Sequence, residues 1–502
     1  MAFCLLVSLC LAPLLTIPTD GSPVRFGVRV AAGALDQGLS LAGEGVLQWR
    51  RLPIGDAAVQ PERYVWIEVA IVAPRGVARV MRGGAGPCVG GRGPAYVRTQ
   101  EDRPAPGGRV CVERWRWLDG TVDERKRTTF TERMEVGGEV YEVGEALTIE
   151  TRSLAQRASY WCRDGRQQAV ACGLLPVRGR ARGANAALRR HLRLVTHRLV
   201  EMPGRRGAGD FLRSDGEVTN LEFDTALALL RCAVANSDAR AWSLALRAVG
   251  HLRDRDIDVR TGLPFVHGKS HRAAPPEIGH VWLQGMLWVA LLTADDQALM
   301  LVRSIGRALA VSSPRGVGRN ERLREYAWPL LELEHLYAVA PQPRVAEAAD
   351  RLAVAIEARF DPVARTFRFG EGELGDGVYF ERGWLTAGLL LPALEAHLRR
   401  ADRGSLAAKY RIAQRAITEV VGSGARGLPT HWRIRDGRKE ALHYERGTAR
   451  AGWLLEGLEL RNQARLLQRS SSRRAFAETP PLDHPDLPTE FTLLARCRWV
   501  WR

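Results

Sequence analysis

The chain has few lysines, although it is strongly basic. Only four of its 73 basic residues are lysine, and the formal net charge is +17. The arginines are scattered along predicted helix faces beside acidic residues, as in RNERLREYAW (319–328), and they do not form one basic tract. Because zinc-finger, RRM and basic-zipper patterns are also absent, we expect no nucleic-acid partner. The charge predicts a mostly solvated basic surface, and the partner that suits it is acidic, such as a uronic-acid polymer.

Cysteine is also scarce, and no C-x-x-C pair occurs among the eight cysteines. Cysteine-based zinc binding is therefore not indicated, and we expect no cofactor. The spacing of His267 and His271 could seat a metal ion, which leaves a divalent cation as an unsupported alternative. Cys88 with Cys111, and Cys162 with Cys172, are spaced so that each pair could close a local disulfide in an oxidising compartment. Cys232 lies on an apolar helix face and is predicted to be a buried free thiol.

Long apolar runs are absent after the first seventeen residues, MAFCLLVSLCLAPLLTI. That run is long enough for the apolar part of a signal peptide but too short for a membrane span. No Lys or Arg precedes it and no A-x-A site follows it, so a misassigned start is the alternative. We predict a signal peptide at residues 1–22, a secreted or periplasmic (cell-envelope) protein, and no stable membrane span. The sequence does not indicate an oligomeric state.

Strand patterns occupy residues 23–178, which we predict to form an antiparallel β-sandwich-like domain. The segments WIEVAIVA (66–73) and RVCVERWRWL (109–118) cluster or alternate β-forming residues between Gly- and Pro-rich turns. Alternation in the second segment predicts a sheet with one solvated face.

Helical hairpins occupy residues 179–468. The first helix of each predicted hairpin begins near Asn220, His280, Arg324, Glu381 or Glu445. Short turns at 236–238, 293–296, 340–343 and 401–404 alternate with long connections, which a closed ring would gather on one rim. We therefore predict an α+β multidomain protein: the β-domain, an (α/α)6-type helical toroid, and an extended tail at 469–502.

Polar and aromatic residues at the starts of these helices are the candidate functional residues, since they are expected to converge on one cleft. In β-elimination from a uronate, His280 or His271 would be the base, Tyr326 the acid, and Arg382 the group that neutralises the enolate. Hydrolysis would need two carboxylates, and the candidates are Glu222, Asp224, Glu381 and Glu445. The predicted substrate-binding residues are Asn220, Asp224, His267, Lys269, Trp282, Trp384, Trp432, Tyr444 and Glu445.

Each of these assignments has a structural alternative. Glu222 and Asp224 would also serve to cap a helix, and Tyr326 would also fit a buried core position. His267 and His271 would also serve as hydrogen-bonding loop residues. A non-catalytic carbohydrate-binding protein therefore stands beside the lyase and the glycoside hydrolase.

Three segments resemble the exo-rhamnogalacturonan lyase-like family: PVRFGVRVAAGAL (23–35), GDFLRSDGEVTNLEFDTALALL (209–230) and EIGHVWLQGMLWVALLTAD (277–295). The resemblance covers most of residues 23–320, and it implies an extracellular lyase that acts on pectic rhamnogalacturonan. It also implies an N-terminal β-domain, a toroid and a further C-terminal β-region, which this sequence is expected to lack. ERYVWIEVAI (62–71) replaces an expected acidic and aromatic segment, so a divergent or inactive relative fits as well.

Overall fold

The structure, a computed structural model, describes part of the chain. The described residues are 15–19, 24–36, 39–42, 46–52, 64–73, 75–82, 96–117, 122–136, 139–141, 143–144, 146–150, 161, 165–172, 174–176, 192–193, 195, 211–212, 218–219, 223–258, 260–266, 275–314, 322–369, 378–422, 428–445, 449–456, 458, 491, 495–497 and 500.

Strands make up the described part of the chain before residue 151, and short strands recur later. They are β1 (Leu15–Thr19), β2 (Val24–Ala31), β3 (Leu39–Ala42), β4 (Val46–Arg51), β5 (Tyr64–Val72), β6 (Gly76–Arg82), β7 (Tyr96–Ala105), β8 (Gly108–Trp117), β9 (Val122–Phe130), β10 (Met134–Val136), β11 (Glu139–Tyr141), β12 (Ala146–Glu150), β13 (Phe211–Leu212), β14 (Val218–Thr219), β15 (Phe360–Asp361), β16 (Thr366–Phe367), β17 (Tyr379–Glu381), β18 (Leu428–Arg435) and β19 (Arg438–Glu445).

Helices follow as paired elements. They are α1 (Arg166–Cys172), α2 (Thr225–Asn236), α3 (Ala239–Arg255), α4 (Gln284–Thr293), α5 (Asp296–Ser312), α6 (Leu323–Val339), α7 (Pro343–Glu357), α8 (Gly383–Leu385), α9 (Leu391–Arg400), α10 (Gly404–Gly422) and α11 (Ala449–Glu456), with 3-10 turns at Ala32–Ala34 and Ile278–His280 and a π-helical turn at Thr386–Leu390. Strands followed by helical hairpins is the order that the sequence predicts. The division into separate domains, its boundaries and the closure of a six-hairpin ring stay predictions.

Two three-stranded antiparallel sheets, β1-β6-β3 and β2-β5-β4, contribute to the same apolar core, and a four-stranded sheet, β12-β9-β8-β7, follows. The sheet β2-β5-β4 is a layer that is covered on both of its faces. Its central strand β5 is buried on both faces from Val65 to Ile71, which explains why VWIEVAI reads as a continuous run instead of an alternation. The face that carries Trp66 contacts the helices, where the Trp66 ring lies 5.9 Å from the ring of Trp288.

Polar caps fix the helix-to-helix turns. Asp238 accepts hydrogen bonds from the first turn of α3, and Asp295 does the same for α5, an arrangement that satisfies amide groups which a helix start leaves unpaired. The helices on either side of residues 237–238, 294–295, 340–342 and 401–403 confirm all four predicted turns.

The first helices of successive hairpins form the interior of the helical region. Nine of the ten residues of α4 are buried, compared with seven of the fifteen residues of α7, the second helix of its hairpin. In chain order, α2 contacts α4, α4 contacts α6, α6 contacts α9, and α11 contacts the π-helical turn and α8. We call α2, α4, α6, α8–α9 and α11 the inner helices.

Close packing shapes the inner helix that contains the π-helical turn. Pro392 lacks the amide hydrogen that would bond to the carbonyl of Gly388, and the wider turn at Thr386–Leu390 accommodates this loss. A methyl group at Gly383 would overlap the Trp432 ring, and one at Gly388 would overlap the Trp453 ring. Glycine is therefore required at both positions for the tryptophans to pack against this helix.

The C-terminal segment corrects one prediction. Residues 469–502 are expected to form an extended tail, but the described Phe491, Ala495, Cys497 and Val500 are buried, each with at most 2% of its surface exposed. Arg231 of α2 donates to the backbone carbonyl of Arg496. The apolar residues of this segment therefore complete the helical core instead of lying along its surface.

β1 lies inside the predicted signal peptide. Leu15 and Ile17 are buried, and β1 pairs with β6 from Leu15↔Val80 to Thr19↔Gly76. Cleavage after residue 22 would therefore remove a strand from this sheet. Secretion itself stays a prediction. Within the described ranges, no helix has the length and apolar character needed to cross a membrane.

The predicted disulfides receive a correction as well. Cys111 and Cys172 are free thiols; their expected partners, Cys88 and Cys162, lie outside the described residues. Cys172 instead donates to the carbonyl of Ala169 within its own helix. Cys232 is buried and is not disulfide-bonded, as predicted.

A buried polar junction joins the four-stranded sheet to the helices. The guanidinium of Arg125 in β9 lies 3.8 Å from the Glu113 carboxylate and 3.9 Å from the Asp295 carboxylate. Gln297 of α5 donates to Glu113 over 2.9 Å. Arg125 and Glu113 are both buried, so this junction links the sheet to the turn between α4 and α5.

We predict that Gly27→Ala destabilises the protein. A methyl group at Gly27 in β2 would overlap the carbonyl oxygen of Leu291 in α4, so the sheet and the helix must move apart. Such overpacking typically lowers the free energy of unfolding by about 1–3 kcal/mol, which chemical denaturation measures. Gly33→Ala is the control, because the nearest atom to a methyl group there is 3.8 Å away. Equal stability of the two variants would contradict the close contact.

Candidate functional site

Five aromatic residues from different parts of the chain meet at the amino ends of the inner helices. The ring of Phe223 lies 5.5 Å from Trp453, 6.1 Å from Trp282, 6.4 Å from Trp328 and 6.4 Å from Trp384. Offset and edge-to-face arrangements at such distances are favourable for aromatic pairs. We call these five residues the aromatic cluster. Its existence means that the starts of α2, α4, α6, α8 and α11 lie around one centre.

Phe223 and Asp224 enter this cluster through an unusual backbone. Their φ angles are +55° and +69°, in the left-handed region. Asp tolerates this region because its side chain bonds to nearby amides, and Asp224 Oδ1 accepts from the Leu227 amide over 3.1 Å. A phenylalanine has no such bond, so packing against four tryptophans has to hold Phe223 in place.

Two buried carboxylates lie at the amino end of α4. Asp224 Oδ2 accepts from the Gly285 amide over 2.9 Å, and Glu332 Oε2 accepts from the Leu283 amide over 3.1 Å. Glu332 Oε1 also accepts from the Gln284 side chain over 3.1 Å. The positive end of the helix dipole and the unpaired amides of a helix start both favour negative charge here.

Arg496 brings a buried positive charge to the same place. Its guanidinium lies 3.8 Å from the Glu332 carboxylate and 4.3 Å from the centre of the Trp328 ring, and it donates to the Phe223 carbonyl over 3.3 Å. Arg496 therefore contacts the aromatic cluster and a carboxylate together. A cavity of about 70 Å³ borders this arrangement, and its lining includes Gln284, Trp453 and Arg496.

Burial dominates the protonation of these carboxyl groups. The pKa of Glu332 is raised to about 8, mainly because burial removes the carboxyl group from water. Arg496 opposes this shift, and the nearby Asp224 adds to it. Burial likewise raises the pKa of Asp224 and lowers the pKa of Arg496. At neutral pH this pair of carboxyl groups therefore holds a proton.

Three basic residues contact the aromatic cluster, His280, Arg324 and Arg450, and a fourth, Arg382, lies two residues before Trp384 in the chain. We call these four residues the basic rim. The guanidinium of Arg324 lies 5.4 Å from the centre of the Phe223 ring, and that of Arg450 lies 5.5 Å from the centre of the Trp384 ring. Both distances are typical of cation–π contacts. Arg382 and Arg450 are exposed to solvent.

His280 lies beside a carboxylate. Its Nδ1 atom lies 3.0 Å from the Glu277 carboxylate, and its ring lies 5.9 Å from Trp282. Within the described ranges, no group of three His, Cys, Asp or Glu side chains is arranged to hold a metal ion.

The structure brings several predicted site residues together: Asp224, Trp282 and Trp384 in or beside the aromatic cluster, and His280 and Arg382 at its rim. Other candidates lie elsewhere. Tyr326 is fully buried, and Arg359 stacks over its ring at 4.9 Å. A polymer cannot reach its hydroxyl group in this conformation, so its role as an acid stays a prediction that the geometry does not favour.

Glu381 and Trp432 are both enclosed by other residues of the protein. Glu381 is buried and accepts from Thr366 over 2.5 Å and from Lys439 over 2.6 Å, so the carboxylate is neutralised within the protein. Trp432 is fully buried against Gly383, with the Lys439 ammonium 5.2 Å from its ring. A sugar would not reach Trp432 here, which leaves its predicted contact with substrate unsupported.

The remaining predicted residues cannot be placed at the site. Asn220, Glu222, His267, Lys269 and His271 lie outside the described residues. For Tyr444 and Glu445 only the backbone is described, as the end of β19. Their roles stay predictions.

Five residues at the centre were missed in the sequence: Phe223, Glu332, Arg450, Trp453 and Arg496. Glu332 lies in WPLLELEHL, and an acidic residue flanked by leucines in a buried helix was the available signal. Arg496 lies in FTLLARCRWVWR (491–502), whose apolar and aromatic residues were the available signal, but the polar stretch before it reads as a tail.

Comparisons with known proteins yield only distant structural likeness. No family model matches the chain, and no curated protein matches it. A cellobiose 2-epimerase from Spirochaeta thermophila DSM 6192 is 13% identical, with 60% of this chain and 85% of that chain covered and a TM-score of 0.43. A cellobiose 2-epimerase from Bacillus thermoamylovorans B4167 is 10% identical, with 57% and 84% covered and a TM-score of 0.40.

A family 76 glycoside hydrolase from a bovine Bacteroides thetaiotaomicron strain is 9% identical, with 97% of this chain and 98% of that chain covered and a TM-score of 0.40. Likeness at these scores does not establish shared ancestry or function. None of these three is a rhamnogalacturonan lyase, so they add no support to the resemblance seen in the sequence.

We predict that Glu332→Gln removes a pH dependence of stability. The Glu332 carboxyl keeps its proton up to about pH 8 in the folded protein, whereas it ordinarily loses it near 4.5. Unfolding between these pH values releases a proton, so the free energy of unfolding falls as pH rises, by up to about 1.4 kcal/mol per pH unit. Denaturation of both proteins at several pH values measures the difference.

The control for this experiment is Glu347→Gln, because Glu347 is exposed on α7. It should keep the slope of the unmodified protein. If the stability of Glu332→Gln ran parallel to that of the unmodified protein between pH 5 and 8, the buried proton would be ruled out.

Proposed function

We propose that this protein binds an acidic polysaccharide across the basic rim. The observation that carries the proposal is the convergence of His280, Arg324 and Arg450 on one group of aromatic rings. The exposed Arg382 lies two residues before Trp384 of the same group. Guanidinium groups form charge-assisted, often bidentate hydrogen bonds with carboxylates, which a uronate polymer presents at regular intervals. The net charge of +17 would speed the approach of a polyanion to this surface.

The proposed partner is a uronate-containing polymer of the cell envelope or its surroundings, in line with the predicted secretion. Pectic rhamnogalacturonan, which the sequence resemblance implies, is one such polymer. The proposal does not require cleavage, because the basic rim would hold carboxylates whether or not a bond is broken.

β-Elimination is the less favoured reaction at this site. His280 as the base and Arg382 as the neutralising group belong to the rim, but Tyr326, the predicted acid, is sealed beneath Arg359. An acid must reach the leaving oxygen directly or through one water molecule.

Hydrolysis is the second candidate, because one observation favours it. Glu332 and Asp224 lie together at the amino end of α4, and burial raises the pKa of Glu332 to about 8. A carboxyl group that stays protonated at neutral pH is what a glycosidase needs as its general acid, with a second carboxylate opposite. Both groups are buried in this conformation, so hydrolysis would require the aromatic cluster to open.

We predict that Arg382→Gln and Arg450→Gln each weaken binding to polygalacturonate. Each change removes a charge-assisted contact, for which about a tenfold rise in Kd is expected. Isothermal titration calorimetry measures it. Methyl-esterified polygalacturonate is the control ligand, because it keeps the sugar backbone and loses the charge, and it should bind weakly to all forms.

The control variant for this comparison is Arg411→Gln, since Arg411 is an exposed arginine of α10 away from the rim. It should bind as the unmodified protein does. If Arg411→Gln and Arg382→Gln raised the Kd equally, the binding would be explained by general charge attraction, which would contradict a defined site.

We predict that any cleavage of the polymer yields new reducing ends without an unsaturated-uronate absorbance, and that Glu332→Gln abolishes it. The reason is that the general acid of hydrolysis would be lost, whereas elimination does not use Glu332. Reducing-end and absorbance assays on the same samples measure both products. An absorbance increase that His280→Ala removes and Glu332→Gln leaves intact would instead establish the lyase.

A further inference from the structure

We propose that the aromatic cluster is a binding cage for one pyranose ring, and that Phe223 occupies the position of that ring in this structure. This inference rests on the proposed function, since the cage opens toward the same basic rim, and it deepens that function by naming a subsite. The rim would hold carboxylates of the polymer, and the cage would hold the apolar face of a single sugar.

The first argument is the geometry of the cluster. Four tryptophans surround the Phe223 ring with centroid separations of 5.5–6.4 Å. The phenyl group is a six-membered ring of a size close to a pyranose, and tryptophan faces stack on the C–H face of a sugar as they do on another ring. Trp282 and Trp384 keep 6% and 8% of their surface exposed, so the cage lies directly beneath the rim.

The second argument is a pair of unsatisfied donors. The indole Nε1 atoms of Trp328 and Trp384 are buried and have no hydrogen-bond partner in the described part of the chain. Buried donors of this kind are rare, and each calls for an acceptor. Phe223 has no acceptor in its side chain, whereas a sugar has a hydroxyl or ring oxygen on every carbon. A pyranose in this place would satisfy groups that the phenyl ring leaves unpaired.

The third argument is the backbone that presents Phe223. Two successive residues other than glycine, Phe223 and Asp224, have left-handed φ angles. Such strained backbone concentrates at sites where a segment has to move or clamp a ligand. Movement of Phe223 out of the cage would relax its own backbone, so part of the energy of displacement is already stored in this conformation.

The fourth argument is space. The cavity of about 70 Å³ is lined by Trp453 and Arg496, and both of these residues also contact Phe223. The polar lining, which includes Gln284 and Arg231, suits the hydroxyl groups of a sugar.

The test compares Phe223→Ala with the unmodified protein, with methyl α-D-galactopyranoside as an uncharged probe. Because the probe no longer has to displace the phenyl ring, we expect Phe223→Ala to bind it at least tenfold more tightly. Titration followed by tryptophan fluorescence reports binding in the cage, since four indoles line it. Adding Trp384→Phe removes one indole N–H while keeping an aromatic ring, and it should reverse the gain at least threefold.

Phe369→Ala is the matched control, because Phe369 is a buried phenylalanine that packs on Tyr326 outside the cluster. It should not improve binding. A gain equal to that of Phe223→Ala would mean general loosening of the core and would overturn the proposal. So would a folded Phe223→Ala that binds the probe no more tightly than the unmodified protein. If Phe223→Ala does not fold, the smaller change Phe223→Leu is read by the same two criteria.

These outcomes are separate from those for the basic rim. Weaker polygalacturonate binding by Arg382→Gln, together with no tighter probe binding by Phe223→Ala, would support the rim as the polymer site and contradict the cage. Tighter probe binding by Phe223→Ala, together with unchanged polymer binding by Arg382→Gln, would support a sugar site in the cage and overturn the rim as the polymer site.

Discussion

The packing at the centre of the helical region depends on the hydrogen bonds at the amino end of α4. The amides of Leu283 and Gly285 bond to Glu332 and Asp224, so the start of one helix ties together α2, α4 and α6. Arg496 adds the C-terminal segment to the same network. Buried charges of this kind are tolerated only when each has partners. Removing one partner would leave the others uncompensated, so these segments are held in one arrangement.

The aromatic cluster covers this charged centre and separates it from the rim. Phe223 fills the space between four tryptophans, and the exposed arginines lie beyond them. The protein therefore has three successive layers at this end: solvated cations, packed rings and buried carboxyl groups. Removal from water below the rings disfavours the charged form of a carboxyl group. This explains why one carboxyl group can retain its proton at neutral pH.

Much of the fold could be predicted from the sequence, because local sequence patterns determine its helices, strands and turns. Asp238 and Asp295 begin helices as caps, and the turns around them were located correctly. The continuous run in β5 also marks a buried strand. The candidate site was only partly predictable. His280, Trp282 and Trp384 lie at helix starts, where the sequence pattern predicted functional residues. Tyr326 and Trp432 are also aromatic, but they are buried, and the sequence pattern does not distinguish the two groups.

Long-range contacts explain what was missed. The role of Arg496 depends on Phe223 and Glu332, and no local pattern connects residues so far apart in the chain. Glu332 reads as one charge among leucines until its partners at Leu283 and Gln284 are known. The free thiols of Cys111 and Cys172 show the same limit, because sequence spacing indicates which cysteines are near one another and not how their side chains are used.

The late position of Arg496 has a consequence for biosynthesis. Arg496 follows Phe223 by 273 residues, so at ribosomal speeds of about 5–20 residues per second the charged centre lacks its guanidinium for roughly 14–55 s. Until then Asp224 and Glu332 lack the guanidinium of Arg496, and the nascent helices gain less by enclosing both acids. Final compaction of this half is therefore expected to wait until Arg496 has been synthesised.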